Sequence, residues 1–185
     1  IDPKNSLLAR GPAHRLSAEQ IRDLALASSG LMETGMGGPP VSPYQPGEDL
    51  WRESNGMSPP YQQSVGKALY RRSLYSVWKR TAPLPNMMAF DASDREVCSV
   101  YRPRTNTPLQ ALVLLNDVQY VEESRHLAAS LTDPVAENQI KEAFLRLTGR
   151  PATESELETL LALHKSELEY FAAHPEDAAK LLSQG

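Results

Sequence analysis

The sequence predicts a mainly α protein, an irregular helical bundle with a C-terminal αα-hairpin and long Pro/Gly-rich loops. Three observations carry this. Ser17 with Gln20, and Thr153 with Glu156, fit the capping box, in which two orphan backbone donors at a helix start are satisfied reciprocally. Apolar residues recur at helical spacing over most of residues 108–171. Eleven Gly and Pro residues crowd residues 33–63, a density that forbids a long helix or a central strand. The 185 residues, 41% hydrophobic and 23% charged, suffice for one domain with a real core. They exclude a collagen, a disulfide scaffold and a fully disordered acidic chain. No stretch approaches the ~18–20 apolar residues of a membrane span; the longest, Ala111 to Leu115, reads as core.

Taken in order, residues 1–16 form an irregular lead-in. A helix starts after Ser17, carries Ile21, Leu24 and Ala25 on one stripe, and stops at Gly30. The Gly/Pro-rich stretch that follows holds Val41, Tyr44, Leu50, Trp51 and Tyr61. Disordered linkers are poor in such residues, so an ordered loop across the core is expected. Residues 68–80 fit helix or strand and are read as helix, because no turn and partner strand sit nearby. Residues 81–107 read as extended, punctuated by Pro83, Pro85 and Pro103. Pro108 opens a helix, where its missing N–H costs nothing. Asn116-Asp117 breaks that helix, and Asp117 caps another that shows Val121, Leu127, Ala128 and Leu131 on one side. Asp133-Pro134 starts a third, carrying Ile140, Ala143, Phe144 and Leu147, which ends at Gly149 and Pro151. Thr153 caps a fourth with His164 on its apolar face, and a short terminal helix follows His174-Pro175. The organisation is one domain, 1–185, in three stretches: 1–66 with a helix and the Pro/Gly-rich loop, 67–116, and the helical part 117–185.

Net charge is −4, unevenly spread: −2 over residues 1–66, +5 over 67–104 and −7 over 117–185. The basic middle is either neutralised across the fold or an anion-binding surface. Nucleic acid is not an expected partner, because the pI is near 5.6. Cys98 is alone, so it makes no intrachain disulfide, and no CxxC or CxxCH occurs. It is read as a small buried apolar residue. His14, His126, His164 and His174 show no paired metal spacing, and no metal site is expected. Gly35 to Pro40 lacks the spacing of a phosphate cradle.

Two constellations could carry chemistry. Asp91, Asp94 and Glu96 surround Arg95, either as carboxylates able to do acid–base work or as a loop pinned by arginine hydrogen bonds. Arg102 and Arg104 precede Asn106 and a helix start, where guanidinium forks and helix dipole both suit an anion. The alternative is that Arg102 and Arg104 bridge to Asp91, Asp94, Glu96 or Asp117.

The run YRRSLYSVWKRTAPLPNMMAFDASDREVCSVYRPRTNTPLQALVLLND, Tyr70 to Asp117, resembles a signature of the planctomycete–verrucomicrobial cytochrome-c-associated PSD family (domain of unknown function 1553). HRLSAEQIRDLALASSGLM and GGPPVSPYQP upstream, and LTGRPATESELETLLAL downstream, resemble other segments of that family, so the likeness covers residues 1–173. Val118 departs from it, standing where the family commonly has Pro. The resemblance implies the C-terminal part of a larger exported protein that often bears a cytochrome-c-type haem domain elsewhere. No cofactor is expected in this piece, and no signal peptide is seen at Ile1. The resemblance brings no catalytic residues with it; genomic company with sulfatases links the family to polysaccharide use. On this reading the Pro/Gly-rich loop and residues 81–107 meet in a surface formed by Tyr44, Trp78, Lys79, Arg80, Asp94, Arg95, Arg102, Arg104 and Asn106. It would dock other domains of the parent protein or an anionic glycan. The competing expectation is a polysaccharide-acting enzyme with Asp94 and Glu96 as its acid–base pair.

Overall fold

A computed structural model describes residues 6–7, 15–45 and 60–185. His14 and residues 46–59 of the Pro/Gly-rich loop, with Leu50 and Trp51, lie outside the described residues.

Helix α1 spans Ala18–Ser29. Its capping box is closed: Gln20 N–H donates to Ser17 Oγ at 3.3 Å, and Ser17 N–H donates to Gln20 Oε1 at 2.9 Å. Gly30 ends it in the left-handed region at φ 78°, a conformation that a side chain would strain. After the cap the chain runs extended beside residues 70–77. Glu33 N–H donates to the Tyr70 carbonyl at 3.0 Å, Val41 N–H to the Tyr75 carbonyl at 2.8 Å, and Val77 N–H to the Val41 carbonyl at 2.8 Å.

This pairing overturns the helix expected over 68–80. The segment instead makes two short 3₁₀ turns, Gly66–Tyr70 and Ser73–Tyr75. The physical reason is competition for backbone groups. Arg22 takes the Leu69 and Arg71 carbonyls, Asp23 accepts the Ser73 N–H at 2.8 Å, and the 33–41 segment takes the Tyr70 and Tyr75 carbonyls. Those groups are no longer available to an α-helical ladder.

Residues 81–107 are not wholly extended either. Helix α2, Pro85–Ala89, opens on Pro85 and buries Asn86 and Met87. Helix α3 follows at Pro108–Asn116 and α4 at Val118–Ser130, with the Asp117 carboxylate accepting the Gln119 N–H at 3.0 Å. Helices α5, Ala136–Thr148, and α6, Glu154–Ala173, form the expected hairpin, and α7 spans Pro175–Leu182. Thr153 and Glu156 close the second capping box.

The core gathers Ala18, Leu84, Met87, Phe90, Ala92 and Tyr120, with Ile21, Ala25, Trp78, Met88 and Val113 packed against it. Phe90 meets Tyr120 edge-on, ring centroids 6.1 Å apart. Helices α1 and α4 thus form the centre, and α2 closes one end. The α5–α6 hairpin contributes no fully buried residue, and its first helix, α5, packs against α1.

Helix α4 is rotated from its sequence-based reading. Its buried residues are Gln119, Tyr120, Glu122, Glu123 and Leu127, whereas Ala128 is exposed. Cys98 is exposed and not buried, because the loop carrying it stands off the core.

Candidate functional site

The site is the loop between α2 and α3, residues 91–107, against the N-terminal end of α1. Both feet of this loop are pinned. At the first foot, Asp91 and Arg95 adopt left-handed backbone at φ 60° and 62°, an unusual conformation for side-chain-bearing residues. The Asp91 carboxylate reaches across and accepts from the Thr105 N–H at 2.7 Å and its hydroxyl at 2.9 Å. The Arg95 guanidinium lies over the Trp78 ring, 4.9 Å from its centroid, while Trp78 Nε1–H donates to the Asp94 carbonyl at 3.2 Å.

At the second foot, Arg102 pairs with Glu19 of α1, Nη1 lying 2.9 and 3.0 Å from the two carboxylate oxygens. Burial pushes the Glu19 carboxyl up. Hydrogen bonds from the backbone and from Arg102, with the Arg102 charge, outweigh burial and hold it below the usual carboxylate range. Arg15 donates to Gln110 Oε1 at 2.5 Å, and Thr107 N–H donates to the same oxygen at 3.1 Å. Gln110, buried in the first turn of α3, thereby ties the lead-in, the loop and the helix together.

Between these feet lies a recess of about 250 Å³. Arg15, Ser17, Asp91, Tyr101, Arg102 and Arg104 are among its lining residues. Of the acidic groups here, Glu19 is paired with Arg102 and Asp91 keeps its charge while accepting from Thr105, so three guanidiniums outnumber two carboxylates and leave the recess modestly positive. The bridges foreseen from Arg102 to Asp91, Asp94, Glu96 or Asp117 are replaced by Glu19, 83 positions away in sequence.

The structure groups the sequence-derived candidates in three places. Arg102 and Arg104 share the recess. Trp78, Asp94 and Arg95 form the first foot, and Glu96 follows it, its N–H donating to Asp94 Oδ1 at 3.1 Å. Tyr44 lies elsewhere, lining a small recess with Gln45, Asn116, Asp117 and Val118 and hydrogen-bonded with Glu122 and Tyr70. Burial, then the Glu122 charge, pushes its phenol well above the usual tyrosine range. Lys79 pairs through its backbone with Ala82; Arg80 and Asn106 are exposed. Arg15, Glu19 and Tyr101 are not singled out by the sequence. Among the described residues no group of three or more His, Cys, Asp or Glu is placed to hold a metal ion.

A second polar centre is buried between α1 and α4. Arg22 is 2% exposed and donates to the Leu69 carbonyl (2.9 Å), the Arg71 carbonyl (2.8 Å), Ser73 Oγ (3.3 Å) and Gln119 Oε1 (3.0 Å). Gln119 Nε2 donates in turn to Glu123 Oε1 at 3.1 Å. Glu122 accepts from the Tyr70 hydroxyl at 2.7 Å. Burial pushes the Glu123 carboxyl up to about 8; Arg22 and Gln119 pull against this, and the Glu122 and Asp117 charges reinforce it. This centre faces the core, and its geometry is that of an internal brace.

The family model of the PSD1 proteins of unknown function (DUF1553) matches residues 1–164, and the chain belongs to that family. No curated protein and no solved structure matches it.

Proposed function

We propose that this chain is a non-catalytic binding and docking module of a larger exported, cytochrome-c-linked protein, and that its α2–α3 loop receives an anionic group of a polysaccharide. One observation carries the reading: Arg15, Arg102 and Arg104 converge on one recess beside Tyr101. Guanidinium forks grip sulfate or carboxylate bidentately, and a tyrosine face packs against a sugar ring. The pinned feet hold the arginines in place before a ligand arrives, which lowers the entropy lost on binding. The competing acid–base reading needs both carboxylates on one cleft. The recess is lined by Asp91 and by neither Asp94 nor Glu96.

The test is a thermal-shift screen with sulfated, uronic and neutral oligosaccharides, run on the wild type and on Arg104→Ala. A ligand at a hundred times its dissociation constant stabilises the folded state by about 2.7 kcal/mol. A shift with the anionic sugars alone, lost in Arg104→Ala, is the expected result. Equal shifts with neutral sugars, or an undiminished shift in the variant, would overturn the reading.

A further inference from the structure

The tip of the same loop is apolar and exposed, and two of its residues, Val100 and Tyr101, also line the recess. Val97 is 71% exposed, Val100 is fully exposed and Tyr101 is 74% exposed, with Cys98 and Ser99 between them also exposed. A mobile loop would be expected to fold such residues back onto the body. This one is held at Asp91–Thr105, at Arg95–Trp78 and at Arg102–Glu19, so its apolar residues are presented outward.

Charge is arranged around the tip in a matching way. Arg95 precedes it and Arg102 and Arg104 follow it, with Glu96 the single acid in residues 95–104. The nearby acids lie at the feet of the loop and not at its tip: Asp91 is engaged by Thr105, Asp94 by the Glu96 N–H and Glu19 by Arg102. Arg15 and Ser17, at the N-terminal end of α1, line the arginine recess, whereas Arg146 of the α5–α6 hairpin lines a recess with Ser29 and Gly30 at the other end. The 12 residues of α1 put about 18 Å between these poles. The stretch 67–104 carries +5 and 117–185 carries −7.

From this juxtaposition we infer that the 95–104 loop seats the chain on an anionic lipid surface. Val97 and Val100 enter the interface, Tyr101 sits at headgroup level, and Arg104 meets lipid phosphates while Arg95 and Arg102 hold the loop. An exposed apolar tip with a basic rim is the chemistry that combines hydrophobic entry with attraction to anionic headgroups. No described helix is long and apolar enough to cross a membrane, and the inferred contact is made by the loop tip. The inference rests on the reading that Arg104 is available to anions.

Cys98 supplies the test, because this lone thiol lies within the tip. The chain is labelled there with an environment-sensitive fluorophore and mixed with vesicles of phosphatidylcholine alone or with one-third phosphatidylglycerol. The expected result is co-sedimentation with the mixed vesicles only, weakened by salt, with a blue shift of the label. Val97→Asn, which leaves charge unchanged and lies outside the recess lining, should weaken binding several-fold while keeping the sulfated-sugar thermal shift. Co-sedimentation with the label still in water would overturn the inference. So would a blue shift without vesicles accompanied by a dimer in light scattering, which would assign the tip to a second copy. If the sugars shift the melting temperature and the vesicles do not bind, the lipid inference falls and the recess reading stands. If the vesicles bind and no sugar shifts the melting temperature, the glycan reading falls and the lipid inference stands.

Discussion

Glu123 gives the sharpest prediction. The residue is 2% exposed, and the Oε2 of its carboxyl has no hydrogen-bond partner among the described residues. Burial lifts it from an ordinary value of 4.5 to about 8. In the unfolded chain the group is ionised above its ordinary value, whereas the folded protein keeps the proton until pH passes 8. Between these limits the native state binds more protons than the unfolded state, so stability falls as pH rises. Applying linkage to the two values, this group alone removes roughly 3.5 kcal/mol between pH 5 and pH 8. Glu123→Gln keeps the shape and still accepts from Gln119, but has no proton to lose. The variant should therefore gain on the wild type by roughly 3 kcal/mol over that interval, about 6–12 °C in melting temperature for a chain of this size. Urea unfolding followed by circular dichroism at pH 5, 6, 7 and 8 reads the difference directly, because every other titrating group is common to both proteins. Parallel pH profiles would refute the reasoning and show that Glu123 is ionised in the fold. A variant that loses ground as pH rises would show that its charge pairs usefully with Arg22.

Three further outcomes are expected. Arg22→Met strands the Leu69 and Arg71 carbonyls and Gln119, and should cost about 3–5 kcal/mol in urea unfolding. Arg71 donates to the carbonyls of Gly35, Gly37 and Pro39 and stacks 3.8 Å from the Tyr75 ring centroid. Arg71→Lys cannot reproduce that fork, so limited proteolysis within residues 35–40 should quicken and stability fall by about 1–2 kcal/mol. Glu19→Gln frees Arg102 from a partly exposed pair, so stability should change by less than about 1 kcal/mol while affinity for a sulfated oligosaccharide, measured by titration calorimetry, rises several-fold. An unchanged affinity would mean that Arg102 does not hold the anion.

What is legible in the sequence is mostly what a few neighbouring residues decide. Ser17 with Gln20, Thr153 with Glu156, Gly30, Gly149 and Pro175 mark helix ends through contacts within a turn or so, and the structure places those ends as read. The segment 68–80 misleads because its partners are distant. Arg22 and Asp23 lie about fifty positions upstream of the backbone groups they capture, and no local propensity encodes that competition. Helix α4 misleads for a different reason. Val121 and Ala128 make a plausible apolar stripe, but the buried face runs through Gln119, Glu122 and Glu123. A helix that buries two glutamates departs from the polarity rule on which helical stripes are read. The useful signal is the interruption itself: Tyr120, Glu123 and Leu127 share one face, and the acid in its middle marks a polar brace.

The candidate site divides along the same line. Arg102 and Arg104 can be singled out because two guanidiniums so near a helix start are locally unusual. Their surroundings cannot. Glu19 reads in sequence only as an acidic residue in the first turn of α1, stabilising through the helix dipole. In the fold it also occupies Arg102, and Arg15, from an irregular lead-in, completes the basic wall. The consequence for function is specific. On the proposed reading an incoming anion would meet one guanidinium already paired and two that are not paired with a carboxylate among the described residues, so Arg15 and Arg104 would make first contact and Arg102 would contribute only if Glu19 yields. Glu19 is held below the usual carboxylate range and stays ionised near neutral pH, so it competes with the ligand for Arg102 throughout that range. On the proposed reading the same competition would select against small anions and favour a ligand that brings two anionic groups or a ring face for Tyr101. A repeating anionic polymer meets that requirement better than an isolated sulfate does.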